Sequence, residues 1–200
     1  MKVYLPSNGL CGLDILDLPQ VKIDMLRDVP NLPEDDVNRK NSFLSLVVGD
    51  GDFLSKITPE DRDYLFVISA ASISANSLPF TVKCKCGVVS HDTIDLGESE
   101  FVRLKKNQRR KVTKVIFGRE YTFNYLSAKD EADIEDFAMD APDDEFLDNK
   151  HDGVVAMTLF GDLSDESLLE ARQVDLSIYF QALLFQRCYP HGISLKKQIV

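Results

Sequence analysis

Between Leu78 and Leu126 the apolar residues of this chain change their spacing, from the three-to-four of a helix to the alternation of a strand. Phe80-Thr81-Val82, Val88-Val89, Thr93-Ile94, Val112 to Phe117 and Tyr121 to Tyr125 read as strands. Turns at Cys86-Gly87 and Gly118-Arg119 suit tight hairpins. Wound as a helix, a period-two segment would scatter its apolar side chains over every face. A β-rich excursion must therefore interrupt the helices that flank it.

On the N-terminal side, Pro33-Glu34-Asp35-Asp36 places a proline in a first turn and acids near the positive end of a helix dipole. Phe43, Leu44, Leu46, Val47 and Val48 follow, and Gly49 stops the helix. Thr58-Pro59-Glu60-Asp61 repeats the start signal ahead of Tyr64 to Ala75, which is apolar on nearly every side and predicts a helix buried all round. Its Ser69, Ser72 and Ser74 are expected to bond back to helix carbonyls. On the C-terminal side, Ser127 with Asp130 and Glu131 opens a helix that Pro142 ends. Glu145 to Phe160 reads as helix broken near Gly153. Ser164-Asp165-Glu166 opens a last helix through Leu168, Leu176, Ile178, Phe180 and Phe185, which Pro190 and Gly192 terminate.

The helix at 64–75 and this last one are the least amphipathic, so the simplest core packs them together with the hairpins projecting. Lys2 to Ile23 is rich in turn formers, with strand-like alternation at Val21-Lys22-Ile23, and reads as an extended β-arm. The expected class is α+β, in one domain over 1–200. It comprises an N-terminal arm at 1–30, a helical core from 30–77 and 127–190, and the β-excursion at 78–126.

An apolar fraction of 44 % and a charged fraction of 28 % suit a folded domain rather than a disordered chain. No stretch reaches the ~18 uncharged apolar residues of a spanning helix. Pro6, Asn8, Asp14 and Asp17 interrupt the N-terminus, so a soluble, intracellular product without signal peptide or membrane insertion is expected. In such a chain Cys11, Cys84, Cys86 and Cys188 predict reduced thiols or a metal site, not a disulfide framework.

Charge is segregated. Eight bases and no acid lie between Arg103 and Arg119, namely Arg103, Lys105, Lys106, Arg109, Arg110, Lys111, Lys114 and Arg119. Eleven acids and one base lie between Asp130 and Asp152. The net charge of −10 makes copies repel, but a basic block beside an acidic one lets neighbours attach in a chosen orientation. The basic block is the candidate partner-binding surface, with an acidic protein face as its expected partner and a second copy as one candidate. Adjacent blocks of opposite sign can also clasp each other within one chain.

The overall acidity argues against general nucleic-acid binding. Phe117, Tyr121 and Phe123 beside the bases keep a single-stranded ligand open as an alternative, yet their alternation is also that of a half-buried strand.

Cys84-Lys85-Cys86-Gly87 places two thiols at a turn, with His91 five residues on and Cys188 or His191 available from the C-terminus. Zinc would need four ligands, and Cys-X-Cys strains a tetrahedral chelate more than Cys-X-X-Cys does. Cys84, Cys86 and His91 are thus candidate zinc ligands against the plainer reading of a hairpin that carries thiols. A metal-dependent hydrolase is the weakest reading, because the scattered acids suggest no raised and lowered carboxyl pair. Gly49-Asp50-Gly51-Asp52 lacks the oxygen ligand and glycine of a calcium loop, with Leu54 and Ser55 in those places, and reads as a solvated turn. The chain has no H-E-x-x-H, G-x-S-x-G, P-loop or G-x-G-x-x-G motif, so a non-enzymatic role is expected.

Leu5-Pro6-Ser7-Asn8-Gly9, an acidic helix followed by a buried one, and Leu78-Pro79-Phe80-Thr81-Val82-Lys83-Cys84-Lys85-Cys86-Gly87 leading to Thr93-Ile94-Asp95-Leu96 occur in that order. Over roughly its first hundred residues the chain resembles the base-plate hub and hub-assembly proteins of T4-like contractile-tailed bacteriophages. The resemblance implies a structural or assembly role with other tail proteins as partners, in the virion tail base plate or in the host cytoplasm during assembly. It carries over no catalytic residue.

Overall fold

The computed structural model describes residues 1–21, 35–73, 77–95, 100–142, 144–189 and 191–194. Strands β1 (Lys2–Tyr4) and β2 (Ile15–Asp17) pair antiparallel with Val3 opposite Leu16. The N-terminal arm is therefore a ribbon folded on itself, and Val3, Leu5 and Leu18 are buried. Of the expected strand at Val21-Lys22-Ile23, Val21 is in no strand and the rest lies outside the described residues.

Helix α1 (Asp36–Val48) starts where the Asp35 carboxylate accepts the Asn38 N–H at 2.7 Å. It ends on Gly49 in the left-handed region, φ +76°. A 3-10 turn, Asp52–Lys56, leads into α2 (Pro59–Ile73). These elements close on the ribbon in a first core that joins Leu5 and Leu18 to Phe43, Leu44, Ile57 and Leu65.

Strands β3 (Ser77–Lys83) and β4 (Val89–Asp95) form an antiparallel hairpin closed by Lys85, Cys86 and Gly87, with Gly87 at φ +90°. Strand β5 (Glu100–Val102) pairs with the final strand, β8 (Gly192–Ser194). Strands β6 (Lys111–Ile116) and β7 (Arg119–Asn124) form a second hairpin with Ile116 opposite Arg119. Helices α3 (Ala128–Met139), α4 (Phe146–Leu159), α5 (Asp165–Gln173) and α6 (Leu176–Phe185) follow. A second core gathers Phe123, Tyr125, Val155, Ala156, Leu168, Ala182 and Phe185. The fold is α+β.

Several expectations are corrected. Helix α2 is not buried all round: Ile73 is 47 % exposed. Nor does it make one core with the last helix, because α1 and the ribbon cover its apolar face while β7 and α4 cover α6. The last helix is two, since Val174 turns extended at ψ 153° and Asp175 caps α6 by accepting the Ser177 N–H at 2.8 Å.

Helix α4 runs unbroken through Gly153, where a Cβ would stand 3.2 Å from Ile134 Cγ2. The glycine is there for close approach of α3, not as a breaker. Only the β3–β4 hairpin projects, its Cys84 to His91 stretch exposed; the β6–β7 hairpin is built into the second core.

Candidate interaction surface

Residues 103–110 form a loop pinned at both ends. At its start the Leu104 N–H donates to the Pro6 carbonyl at 2.9 Å and its side chain is buried. Arg103 donates to the Tyr4 carbonyl at 3.3 Å and lies 5.5 Å from that ring's centre. At its end the Arg110 guanidinium donates to the Tyr125 carbonyl at 3.0 Å and to Asp130 Oδ2 at 2.9 Å. Between these anchors Lys105, Lys106 and Arg109 are exposed, and Lys111 follows them into β6. None of these four forms an ion pair with a described residue.

The hairpin splits the remaining bases between its faces. Val112, Lys114 and Ile116 stand with Arg119, Tyr121 and Phe123 on the core side, and Lys111, Thr113 and Val115 on the other. Lys114 Nζ sits 5.4 Å from the Phe123 ring centre and 6.0 Å from that of Phe185, so this base lies over the core edge. Arg119 is exposed beside the turn.

The turn is Phe117-Gly118, one residue earlier than expected, with φ +50° and +76°. Asparagine suits the first of these positions; a bulky phenylalanine is out of place there. Of the aromatics offered for stacking, Phe123 is buried in the core, Tyr121 is half-buried against it and Phe117 is 78 % exposed.

The two charge blocks meet in one described pair, Arg110 with Asp130. Other acids find bases elsewhere: Glu131 pairs with Arg62 at 2.5 Å and Asp152 with Arg172 at 2.6 Å, both from outside the block, and Glu135 pairs with Lys150, the block's own base, at 2.5 Å. Arg62 is buried; burial pulls its pKa down, but Glu131 and Asp63 outweigh that and hold it above its ordinary value. Asp133, Asp140, Asp144 and Asp148 are exposed, and Asp143 lies outside the described residues.

Beside these helices α3, α4 and α6 border a groove of about 520 Å³. Leu126, Ile134, Val154 and Leu183 line it, with Phe180 and Leu184 at 52 % and 55 % exposure. Sequence reading missed this groove, because the apolar run of α6 reads as buried on every side and nothing local reveals which side stays uncovered.

At the inner end of the groove lies a buried polar junction. The Tyr125 hydroxyl has one proton and two acceptors at 2.9 Å, Glu60 Oε1 and the Gln186 carbonyl. A protonated Glu60 resolves the conflict by donating into the Tyr125 oxygen. Burial pushes the Glu60 carboxyl up in the direction this requires, against the coulombic pull of His191. His191 Nε2 is 3.4 Å from Glu60 Oε2, an oxygen without a hydrogen bond. His191 Nδ1 donates to the Tyr189 carbonyl at 2.5 Å and Nε2 accepts from Thr58 at 2.9 Å. This His191 is packed as a structural residue.

The candidate zinc ligands are not brought into one set. Cys84 and Cys86 share the exposed hairpin tip, where the Cys86 N–H donates to Cys84 Sγ at 3.4 Å. A hydrogen bond with the Cys84 side chain pulls the Cys86 thiol below its ordinary value. His91 pairs across the ladder with Thr81, its Nδ1 3.0 Å from Thr81 Oγ1. Among the described residues no three His, Cys, Asp or Glu side chains gather as a metal site. Burial pushes the Cys11 thiol up to about 12, which makes it inert.

No helix of the described residues is long and apolar enough to cross a membrane. No protein-family model matches the chain, and no curated protein or solved structure matches it.

Proposed function

We propose that this protein is a structural or assembly component of a contractile-tail phage base plate, in its hub region, acting through protein contacts and not as an enzyme. The observation that carries the binding mode is the pinned loop, which holds Lys105, Lys106, Arg109 and Lys111 exposed and without an ion pair among the described residues. Anchoring by Leu104 and Arg110 lowers the ordering cost of association, and the four bases Lys105, Lys106, Arg109 and Lys111, close together in sequence, steer an acidic partner surface. The tail partners and the location in the virion base plate, or in the host cytoplasm during assembly, follow from the resemblance of the first hundred residues.

Arg110 and Lys114 are poor test positions because they also hold the fold. Lys106→Glu with Arg109→Glu reverses two charges that touch nothing else described. We expect the double variant to bind other tail proteins about tenfold more weakly at low salt, with a smaller difference at high salt, where screening has already weakened the wild-type contact. Co-sedimentation with tail sub-assemblies across a salt series measures this. Equal binding at low salt rejects the proposal.

A further inference from the structure

We propose that a second copy of this chain docks head to tail, the Phe117 ring at the β6–β7 tip of one copy entering the groove between α3, α4 and α6 of the next. Phe117 combines 78 % exposure with a backbone at φ +50°, a combination that local stability disfavours and that aims a large ring outward. Val115 beside it is 68 % exposed. The groove has a matching shape: about 520 Å³, a largely apolar floor of Leu126, Ile134, Val154 and Leu183, and Phe180 and Leu184 uncovered at its mouth. Phenylalanine is a common anchor in such pockets.

Charge sets the orientation. The hairpin that carries the ring holds Lys111, Lys114 and Arg119 against Glu120 as its one acid. The helices that wall the groove expose Asp133, Asp136, Asp140 and Asp148. At the lining itself Glu131 is paired with Arg62 and Lys150 with Glu135, and Arg187, exposed at the mouth, is a lining cation with no ion pair among the described residues. The acidic helices attract the basic tip over distance, and the apolar groove holds the ring.

The contact is between molecules. Tyr125 lines the groove just beyond the base of β7, and the tip lies at that strand's other end. At a strand rise of about 3.3 Å per residue, Arg119 is roughly 20 Å from Tyr125, too far for the tip of a paired hairpin to fold back into its own groove. Because tip and groove are different surfaces, each added copy leaves one of each open, and the product is a ring or a chain. One ring in one groove buries far less than the ~1,600 Å² of a stable interface, so the association is weak and concentration-dependent.

This inference extends the assembly reading but uses a surface other than the loop at 103–110, so the two fail separately. Sedimentation equilibrium of the full chain at high concentration and low salt is the measurement. Phe117→Asn creates the Asn-Gly pair that this turn prefers, so it removes the ring without harming the hairpin; Leu184→Glu places a charge in the groove mouth at an exposed position. We expect the wild type to self-associate, each single variant to do so at least about tenfold more weakly, and an equimolar mixture of the two to form a pair that grows no further. The pair uses the intact tip of Leu184→Glu and the intact groove of Phe117→Asn.

A wild type that stays monomeric overturns the inference. So does self-association that survives Phe117→Asn, which would place the contact on another face. Lys106→Glu with Arg109→Glu should leave the self-association in place, and its failure to weaken binding to tail proteins would reject the loop reading alone.

Discussion

Glu60 begins as an ordinary first-turn acid of α2 and becomes a buried carboxyl because Tyr125 and His191 arrive from far along the chain. The folded state then holds its proton to higher pH than the unfolded chain does. By linkage, stability falls as pH rises from the ordinary value of 4.5 through the raised folded one, and is fullest below that window. Glu60→Gln keeps hydrogen-bonding groups for the Tyr125 hydroxyl and removes the titration. We therefore expect its melting temperature to fall less steeply than that of the wild type as the pH rises above the ordinary value of 4.5. Parallel curves in thermal melts would reject the assignment. Thr58, Pro59 and the acids that mark this helix start were legible in the sequence; the burial of one acid was not, since it depends on residues from β7 and the C-terminal segment.

At the scale of elements, starts and stops were read well where they depend on neighbours in sequence. Ser127 accepts the Asp130 N–H at 3.2 Å and Asp130 accepts the Ser127 N–H at 2.8 Å, a complete capping box within four residues. Asp130 has a second use, holding Arg110 and with it the end of the basic loop. Asp130→Ala removes both interactions and should cost about 2 kcal/mol, or roughly 4–8 °C in melting temperature, with faster amide exchange around Arg110. A loss no larger than that of Ser127→Ala would show that the Arg110 pair adds nothing. Readings failed where a residue type has two meanings. Gly153 suggested a break, yet it serves the approach of Ile134; Gly118-Arg119 looked like a turn, yet the ladder closes one residue earlier on Phe117.

On the scale of the whole molecule, two larger cores and a smaller cluster of Leu126, Ile134 and Met157 stand where one core was expected, and a few polar contacts join them. Tyr125, in the second core, reaches Glu60 on α2, while Arg62 on α2 reaches Glu131 on α3. Tyr125→Phe deletes the hydroxyl and leaves Glu60 Oε1 and the Gln186 carbonyl short of a partner, an expected cost of about 1–3 kcal/mol. Its urea midpoint should drop with an unchanged slope, because the surface exposed on unfolding is the same; an unchanged midpoint would show that water replaces the hydroxyl. The α+β class, the change of hydrophobic period, the helix caps and the two charge blocks were determined by the sequence itself, because each rests on residues within a turn or a strand of one another. Tertiary structure alone decided which apolar face met which, which bases were tied to Tyr4, Tyr125, Asp130 or the core rings and which stayed free of described partners, and that a groove would remain open beside α6. Those outcomes depend on contacts between separate elements, from Arg110 with Tyr125, 15 residues apart, to Thr58 with His191, 133 apart, and no local spacing encodes them.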